Sequence, residues 1–371
     1  MTARRHLGRL ILLGSAALAG CSSSDKTPAT GGINGGDGGG SGGSGGGGNG
    51  TPLVHCDLKT ESSAAPVIDS CSAVTTPTGT EVTLGKYGAK MDANVGVGFE
   101  NTDPKDDATC PGFAALFKED PAQTAQLLDT GPQPCTTTDP NTGNCLNYQL
   151  YSVYRPANWP EGKIPVLSWG NGTCAQPEGY GTLLRYIASN GFFVVAANSR
   201  EVGTGAELRH AIDFAAAANE DPASPYYGHL DLTKVGVMGH SQGSAAAAAA
   251  AADDRVSAAI LFNAGDNAPK PYLAISGELD ITSYTADVMK TAIDAAPKAA
   301  YLFYYNPAGS DADTIKGHLV LMLTPERVAA AATDWWKMMF LDDAAAKASF
   351  VGDSCGLCGH SGDYDYGQHG L

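Results

Sequence analysis

The stretch LTKVGVMGHSQGSAAAAAAAA, residues 232–252, decides the fold of this chain. Residues 235–238 are a short apolar run with β-branched side chains, which is typical of a buried parallel strand. The pentapeptide 239–243 follows at once, and the alanines after it have the highest helix propensity. A strand, a tight turn and a helix therefore meet on a G-x-S-x-G sequence, the arrangement called a nucleophile elbow. Such a turn exposes the hydroxyl of Ser241 and brings helix N–H groups close to it.

The pentapeptide alone is weak evidence, because a glycine-rich turn with a serine at a helix N-cap has the same letters. The strand before it and the helix after it favour the elbow. Ser241 is therefore the candidate nucleophile.

Segments of strand and helix character alternate along the rest of the chain. Further strands are predicted at 81–84, 95–99, 149–154, 164–169, 192–197, 258–263, 272–276 and 300–305. Further helices are predicted at 113–118, 182–189, 207–217 and 286–295, followed by a last helix with Thr324 as N-cap and Pro325 in its first turn. This alternation predicts an α/β fold with a mostly parallel, doubly wound sheet, helices on both faces and a site at the carboxyl ends of the strands.

A serine nucleophile needs a general base, and three histidines follow Ser241 in the chain. His318 lies in the loop after the last predicted strand. His360 and His369 lie in a Gly/Tyr-rich tail in which no strand is predicted to aim them. His318 is therefore the candidate base.

The base needs an orienting acid, and in a fold with this elbow the acid lies between the serine and the histidine in the chain. Asp280 follows the predicted strand 272–276 and is preferred. Asp266, after the preceding strand, and Glu278 stay open as alternatives. Each of the three could also be an ordinary turn carboxylate.

An oxyanion hole needs two N–H donors. Gln242, the residue after the nucleophile, supplies one. The loop after strand 164–169 supplies the other, with Thr173 preferred and Gly172 as the alternative. His240 precedes the nucleophile, but the elbow aims its side chain elsewhere, so it is not assigned the role of base.

Residues 227–243, YGHLDLTKVGVMGHSQG, resemble the elbow region of bacterial cutinases and polyethylene terephthalate hydrolases, a dienelactone-hydrolase-like branch of the α/β-hydrolases. Residues 187–195, IASNGFFVV, resemble the helix and strand that precede that elbow, and 278–280 resemble the acid loop. The resemblance covers about 148–340. It implies an α/β-hydrolase fold and a serine carboxylic-ester hydrolase that acts through an acyl-enzyme on Ser241, with Asp280 and His318 in their roles.

The chain departs from this family at three places. Thr173 and Gly265 stand where the family has two aromatic clamp residues, and Gln242 stands where methionine is usual. These departures favour short or aliphatic esters over aromatic polyesters. A carbohydrate deacetylase, an acyltransferase and a non-catalytic surface binding protein with a hydrolase fold are the alternatives.

The N-terminus has the pattern of a bacterial lipoprotein signal. Three arginines precede the short apolar run 10–18, which ends in the lipobox Leu18-Ala-Gly-Cys21. We expect a signal peptide at 1–20, lipid attachment at Cys21 and a Gly/Ser-rich tether at 21–51. The chain would then be exported and anchored to the outer membrane or cell surface; an ordinary secretory signal is the alternative.

The net charge of the chain limits the kinds of partner it is expected to bind. The 371 residues are 43% hydrophobic and carry a formal charge of −16. This acidity disfavours nucleic acid and anionic lipid, and it suits a neutral small-molecule or polymeric ester substrate. We expect no metal, no cofactor and a monomer. The predicted catalytic domain is 148–350, between a Cys-bearing extension and insertion at 52–147 and a tail at 351–371.

The cysteines predict disulfides. Apart from Cys21, eight cysteines remain, an even number in a chain expected to be exported. Cys355 and Cys358 form a C-x-x-C without the partners of a zinc site or a thioredoxin fold, which favours a local structural disulfide. The other cysteines predict a stapled N-terminal extension whose connectivity stays open.

Overall fold

Residues 55–56, 71–76, 79–96, 150–200, 202–263, 267–278, 280, 284–305, 317–358 and 363–371 are described by the structure, which is a computed structural model. All of them lie in the unit Thr51–Leu371. Several predicted features lie outside the described residues: the signal peptide 1–20, Cys21, the tether 21–51, strand residues 97–99, helix 113–118, Gly265, Asp266 and His360.

Twelve strands are described, and nine of them form the main sheet. The strands are β1 (His55–Cys56), β2 (Ala73–Thr75), β3 (Glu81–Thr83), β4 (Ala89–Val95), β5 (Tyr151–Pro156), β6 (Ile164–Gly170), β7 (Phe193–Ala197), β8 (Leu230–His240), β9 (Val256–Phe262), β10 (Tyr272–Gly277), β11 (Ala299–Tyr304) and β12 (Tyr364–His369). The main sheet has the order β12-β11-β10-β9-β8-β6-β7-β5-β4, and β1, β2 and β3 form a small separate sheet.

The middle of the main sheet is parallel. Strands β7, β6, β8, β9, β10 and β11 pair in parallel, and the pairings of β4 with β5, β5 with β7 and β11 with β12 are antiparallel. The seven strands predicted between residues 149 and 305 are confirmed as β5 to β11, with bounds that differ by a few residues. Because parallel strands end at the same edge, the segments after β6, β8, β9, β10 and β11 meet there.

Helices cover both faces of the sheet. They are α1 (Gly181–Ser189), α2 (Ala206–Glu220), α3 (Gln242–Ala250), α4 (Ala286–Asp294), α5 (Val320–Leu323), α6 (Glu326–Leu341) and α7 (Ala344–Phe350). Leu183 and Trp335 lie in the hydrophobic core on one face, and Ile212, Ala247 and Met289 lie in the core on the other. The predicted α/β-hydrolase fold is therefore confirmed. Among the described residues, none of the helices is long and apolar enough to cross a membrane.

The C-terminal tail corrects one expectation. We predicted no strand in it, but β12 pairs along the whole of β11. Tyr366 lies in the core, and its hydroxyl donates to the carbonyl of Phe350 at 2.7 Å. Burial of that ring makes a strand of a segment whose glycines and polar residues favour a loop. His369 lies opposite Ala299, the first residue of β11, and so at the edge of the sheet away from the strands' carboxyl ends.

The capping of the last predicted helix also differs. Thr324 ends α5, and its hydroxyl donates to the Val320 carbonyl at 3.2 Å. Pro325 is the residue that precedes α6. The expected N-cap at Thr324 is therefore wrong, because this hydroxyl bonds to the preceding turn instead.

Four of the described cysteines are disulfide-bonded. Cys355 and Cys358 are bonded to each other, which confirms the predicted local bridge; it lies in the C-terminal tail and not in the N-terminal extension. Cys71 and Cys174 are disulfide-bonded as well.

Candidate active site

The backbone of Ser241 has a conformation that few residues adopt. Ser241 lies between β8 and α3 with φ 55° and ψ −116°. A side chain at positive φ outside glycine costs about 1–3 kcal/mol and persists only where the surroundings impose it. Here its N–H donates to the Phe262 carbonyl at 2.9 Å and its carbonyl accepts from Ser244 N–H at 2.9 Å. The turn holds Ser241, the candidate nucleophile, at the carboxyl edge of the sheet.

Gly243 allows the loop after β6 to lie directly on this turn. A Cβ at Gly243 would overlap the Gly170 carbonyl and lie 2.6 Å from the Asn171 carbonyl oxygen. No side chain fits in that space, so the second glycine of the pentapeptide is required by packing. The candidate oxyanion loop and the first turn of α3 therefore touch.

The candidate base and acid form a buried pair. Nδ1 of His318 lies 2.8 Å from Oδ1 of Asp280, and their side chains are 2% and 1% exposed. An ionised carboxylate can only accept, so Nδ1 carries the hydrogen and Nε2 keeps its lone pair. An imidazole in this tautomer can take a proton at Nε2, and the carboxylate then stabilises the imidazolium.

Two residues that sequence reasoning missed hold the other oxygen of the acid. Oδ2 of Asp280 accepts from Asn263 Nδ2 at 2.6 Å and from Ser276 Oγ at 3.0 Å. The same Asn263 amide donates to the Gly317 carbonyl at 3.1 Å, next to His318. Both partners are acceptors, which fixes the amide orientation. Polar residues at the carboxyl ends of two apolar strands were the available signal.

The His318–Asp280 pair lies against His240, the residue before Ser241. The His240 and His318 rings are 4.7 Å apart between centroids, and His240 Nε2 lies 2.8 Å from the His318 carbonyl oxygen. Ser241 Oγ makes no hydrogen bond with the described residues. Through its neighbour His240, the turn that carries Ser241 therefore lies next to the His318–Asp280 pair.

The loop after β6 is held by a fully used amide. Asn171 Oδ1 accepts from Trp169 Nε1 at 2.9 Å. Its Nδ2 donates to the carbonyls of Ala197 at 2.6 Å and Ser199 at 2.9 Å. The amide thus ties the loop to the end of β7.

Within this loop the N–H groups differ in use. Gly172 N–H donates to Tyr180 Oη at 2.9 Å, and Cys174 N–H donates to the Arg200 carbonyl at 3.1 Å. The N–H of Thr173 makes no hydrogen bond with the described residues. Of the two candidate donors, only Thr173 N–H is therefore available to a ligand.

Gln242 begins α3 directly after the nucleophile. Its side-chain Oε1 accepts from Val202 N–H at 3.1 Å, so the side chain points toward the loop after β7. The first N–H groups of a helix have no intrahelical acceptor. The backbone N–H of Gln242 thus lies at the end of the helix that faces the elbow.

The structure does not bring the alternative acids and bases to the His318–Asp280 pair in the part of the chain that it describes. Glu278 is exposed, and its backbone N–H donates to the Tyr304 carbonyl at 2.6 Å. His369 is exposed on β12, while Asp266 and His360 fall outside the described residues. Across the described ranges, no group of three or more His, Cys, Asp or Glu side chains is arranged to hold a metal ion.

Part of the chain matches a known family. Residues 146–264, less than half of the 371, match the family described as Chlorophyllase. No curated protein matches the chain. The matched region runs from β5 through the oxyanion loop and the elbow to the end of β9, and it stops before Asp280 and His318. The chain is thus similar to chlorophyllases over this region, and the similarity and the fold together support a hydrolase of the α/β-hydrolase type.

Proposed function

We propose that this protein is a serine carboxylic-ester hydrolase. Ser241 Oγ attacks the ester carbonyl while His318 Nε2 takes its proton, and the backbone N–H groups of Gln242 and Thr173 bind the oxyanion. Asp280 holds the imidazole and stabilises its charged form. His318 then gives the proton to the leaving alcohol, which leaves an acyl group on Ser241. Water enters by the reverse path and releases the acid.

One observation supports this proposal above the others: a serine in a strained turn adjoins a buried His318–Asp280 pair at one edge of the sheet. Neither part alone would carry the proposal, because buried ion pairs and helix N-caps are common. Together they support the roles of nucleophile, base and orienting acid for Ser241, His318 and Asp280. The similarity of residues 146–264 to chlorophyllases favours an ester as the substrate.

Short or aliphatic esters are the proposed substrates. Thr173 and Gly265 lack the rings that would stack on an aromatic diester, and such stacking contributes about 0.5–1.5 kcal/mol per pair. The resemblance to cutinases and polyethylene terephthalate hydrolases stays part of this proposal.

The test is a panel of p-nitrophenyl esters from acetate to palmitate, with a chlorophyll and an aromatic polyester film beside them. We expect the highest kcat/KM on short chains and a fluorophosphonate adduct on Ser241. Absence of turnover on every ester, with no adduct, would overturn the proposal. Efficient film hydrolysis would overturn only the proposed specificity.

We also propose that the chain is exported and lipid-anchored through Cys21, on the support of its lipobox. Cys21→Ser should release the protein from the membrane fraction or block its processing. A correctly cleaved Cys21→Ser protein that stays in the membrane fraction would contradict the anchor.

A further inference from the structure

A buried chain of hydrogen bonds connects the oxyanion loop to the candidate base. Gly172 N–H donates to Tyr180 Oη at 2.9 Å, and Tyr180 Oη lies 2.9 Å from His240 Nδ1. On the other side of the same ring, His240 Nε2 lies 2.8 Å from the carbonyl oxygen of His318. Three segments that are distant in sequence are thus joined through two side chains.

The direction of every bond in this chain follows from its acceptors. A carbonyl oxygen only accepts, so His240 carries its hydrogen on Nε2 and its Nδ1 accepts from the Tyr180 hydroxyl. The oxygen of that hydroxyl is then free to accept from Gly172 N–H. Burial, and next the neighbouring His318, lower the pKa of His240 to about 3. Burial also raises the pKa of Tyr180, so both groups stay neutral through the working pH range.

Packing leaves these groups little freedom. Tyr180 and His240 are 1% and 2% exposed, and the ring of Trp169 lies 4.7 Å from that of Tyr180. A Cβ at Gly172 would lie 2.8 Å from His240 Nδ1, so the loop backbone lies directly against the imidazole. A shift of either ring would move the loop or His318.

We propose that Tyr180 and His240 are positioning residues that set the placement of Thr173 N–H and of His318 around Ser241. This rests on the proposed ester hydrolysis, and it assigns no contact with substrate to either residue. The oxyanion donor and the base must both reach the same carbonyl, and a misplacement of about 1 Å can cost about 10²-fold in rate. A hydrogen-bonded link between the two makes their separation independent of the substrate.

The competing explanation is a polar pair that only stabilises the core, and a matched variant separates the two. Tyr180→Phe removes both bonds of the hydroxyl and keeps the ring. Tyr366→Phe removes a buried hydroxyl bond of similar length, 2.7 Å to the Phe350 carbonyl, away from the site. We expect Tyr180→Phe to lower kcat on p-nitrophenyl acetate by about 10- to 100-fold with KM changed less than about threefold. Tyr366→Phe should lower the melting temperature and leave kcat unchanged.

His240 extends the test to the second bond. His240→Leu should lower kcat as Tyr180→Phe does, and the double variant should be no worse than the worse single variant, because both break one chain. His240→Gln keeps a donor for the His318 carbonyl and should recover most of kcat. In each variant the plateau of the kcat–pH profile should fall while the midpoint of its acidic limb stays in place.

The outcomes separate the two proposals. An inactive wild-type protein would overturn the proposed function and the positioning role together. An active wild type that Ser241→Ala inactivates, with Tyr180→Phe matching Tyr366→Phe in kcat, would overturn the positioning role alone. A shifted midpoint would also overturn it, because it would give these residues a direct acid–base role. If His240→Leu does not fold, Tyr180→Phe and His240→Gln still decide.

Discussion

The two halves of the candidate site are held by different kinds of interaction. In the acid–base half, side chains hold side chains: the Asp280 carboxylate accepts hydrogen bonds from His318, Asn263 and Ser276. In the nucleophile half, the backbone fixes the geometry, through the positive φ of Ser241 and the close contact at Gly243. The acid–base half therefore depends on charge-assisted hydrogen bonds, and the nucleophile half depends on steric fit.

This difference predicts different effects of substitution on kcat and on stability in the two halves. A side chain of the acid–base half can be changed while the backbone stays in place. We therefore expect its substitution to lower kcat more than stability. A residue of the nucleophile half other than Ser241 acts by fixing the path of the backbone. We therefore expect its substitution to lower both kcat and stability.

Removal of the nucleophile should have the largest effect. Ser241→Ala removes the attacking oxygen and should lower kcat/KM by about 10⁴-fold or more, with the melting temperature near that of the wild type. Steady-state kinetics on p-nitrophenyl acetate and a thermal melt measure both quantities. Turnover within tenfold of the wild type would place the nucleophile elsewhere.

Removal of the acid should come next. Asp280→Ala leaves His318 without its orienting carboxylate and should lower kcat by about 10³-fold. Glu278→Ala, two residues away and exposed, is the matched control and should change kcat less than about twofold. The opposite ranking would show that another carboxylate orients the imidazole.

A methyl group at Gly243 tests the half that is held by backbone. Gly243→Ala would overlap the Gly170 carbonyl, so the oxyanion loop must move. We expect kcat to fall by about 10²-fold together with a lower melting temperature. A loss of kcat without a loss of stability would contradict the steric account.

The amide that holds the acid should have a smaller effect. Asn263→Ala removes one donor from Asp280 and one from the Gly317 carbonyl, and it should lower kcat by about tenfold, since His318 still holds the other oxygen. Asn158→Ala is the control, because that exposed amide makes a single bond of 3.4 Å to the Tyr87 carbonyl. Equal effects of the two variants would refute a specific role for Asn263.

The smallest effect is on stability at acid pH. The folded pKa of His240 is about 3, well below its ordinary value of 6.5. Between these values the unfolded chain binds the extra proton, so this contribution to stability is full above about pH 6.5 and is lost as the pH falls toward 3. The drop in melting temperature from pH 7 to pH 4.5 should therefore be smaller in His240→Gln than in the wild type. His369→Gln, an exposed histidine, should match the wild type.

Local sequence was enough for the elbow and for the seven strands predicted between residues 149 and 305. Residues 235–252 carry a strand, a turn and a helix within one short segment, and these depend on propensity and on the two glycines. Ser241, Asp280 and His318 could be named because strand ends of a parallel sheet share one edge. Strand β12 could not be predicted from local sequence, because it depends on pairing with β11 and on burial of its tyrosines against the core.

What the sequence by itself determined is the α/β-hydrolase framework and a short set of candidates for each role. Only the tertiary structure showed that Asp280, and not its neighbour Glu278, bonds to His318, and only it showed the contacts of Asn263 and Tyr180. Tyr180 lies 60 positions from His240 along the chain, and Asn263 lies 17 from Asp280. No local pattern encodes such contacts, because hydrogen-bond partners across a sheet edge are set by how the strands stack and not by their spacing in sequence.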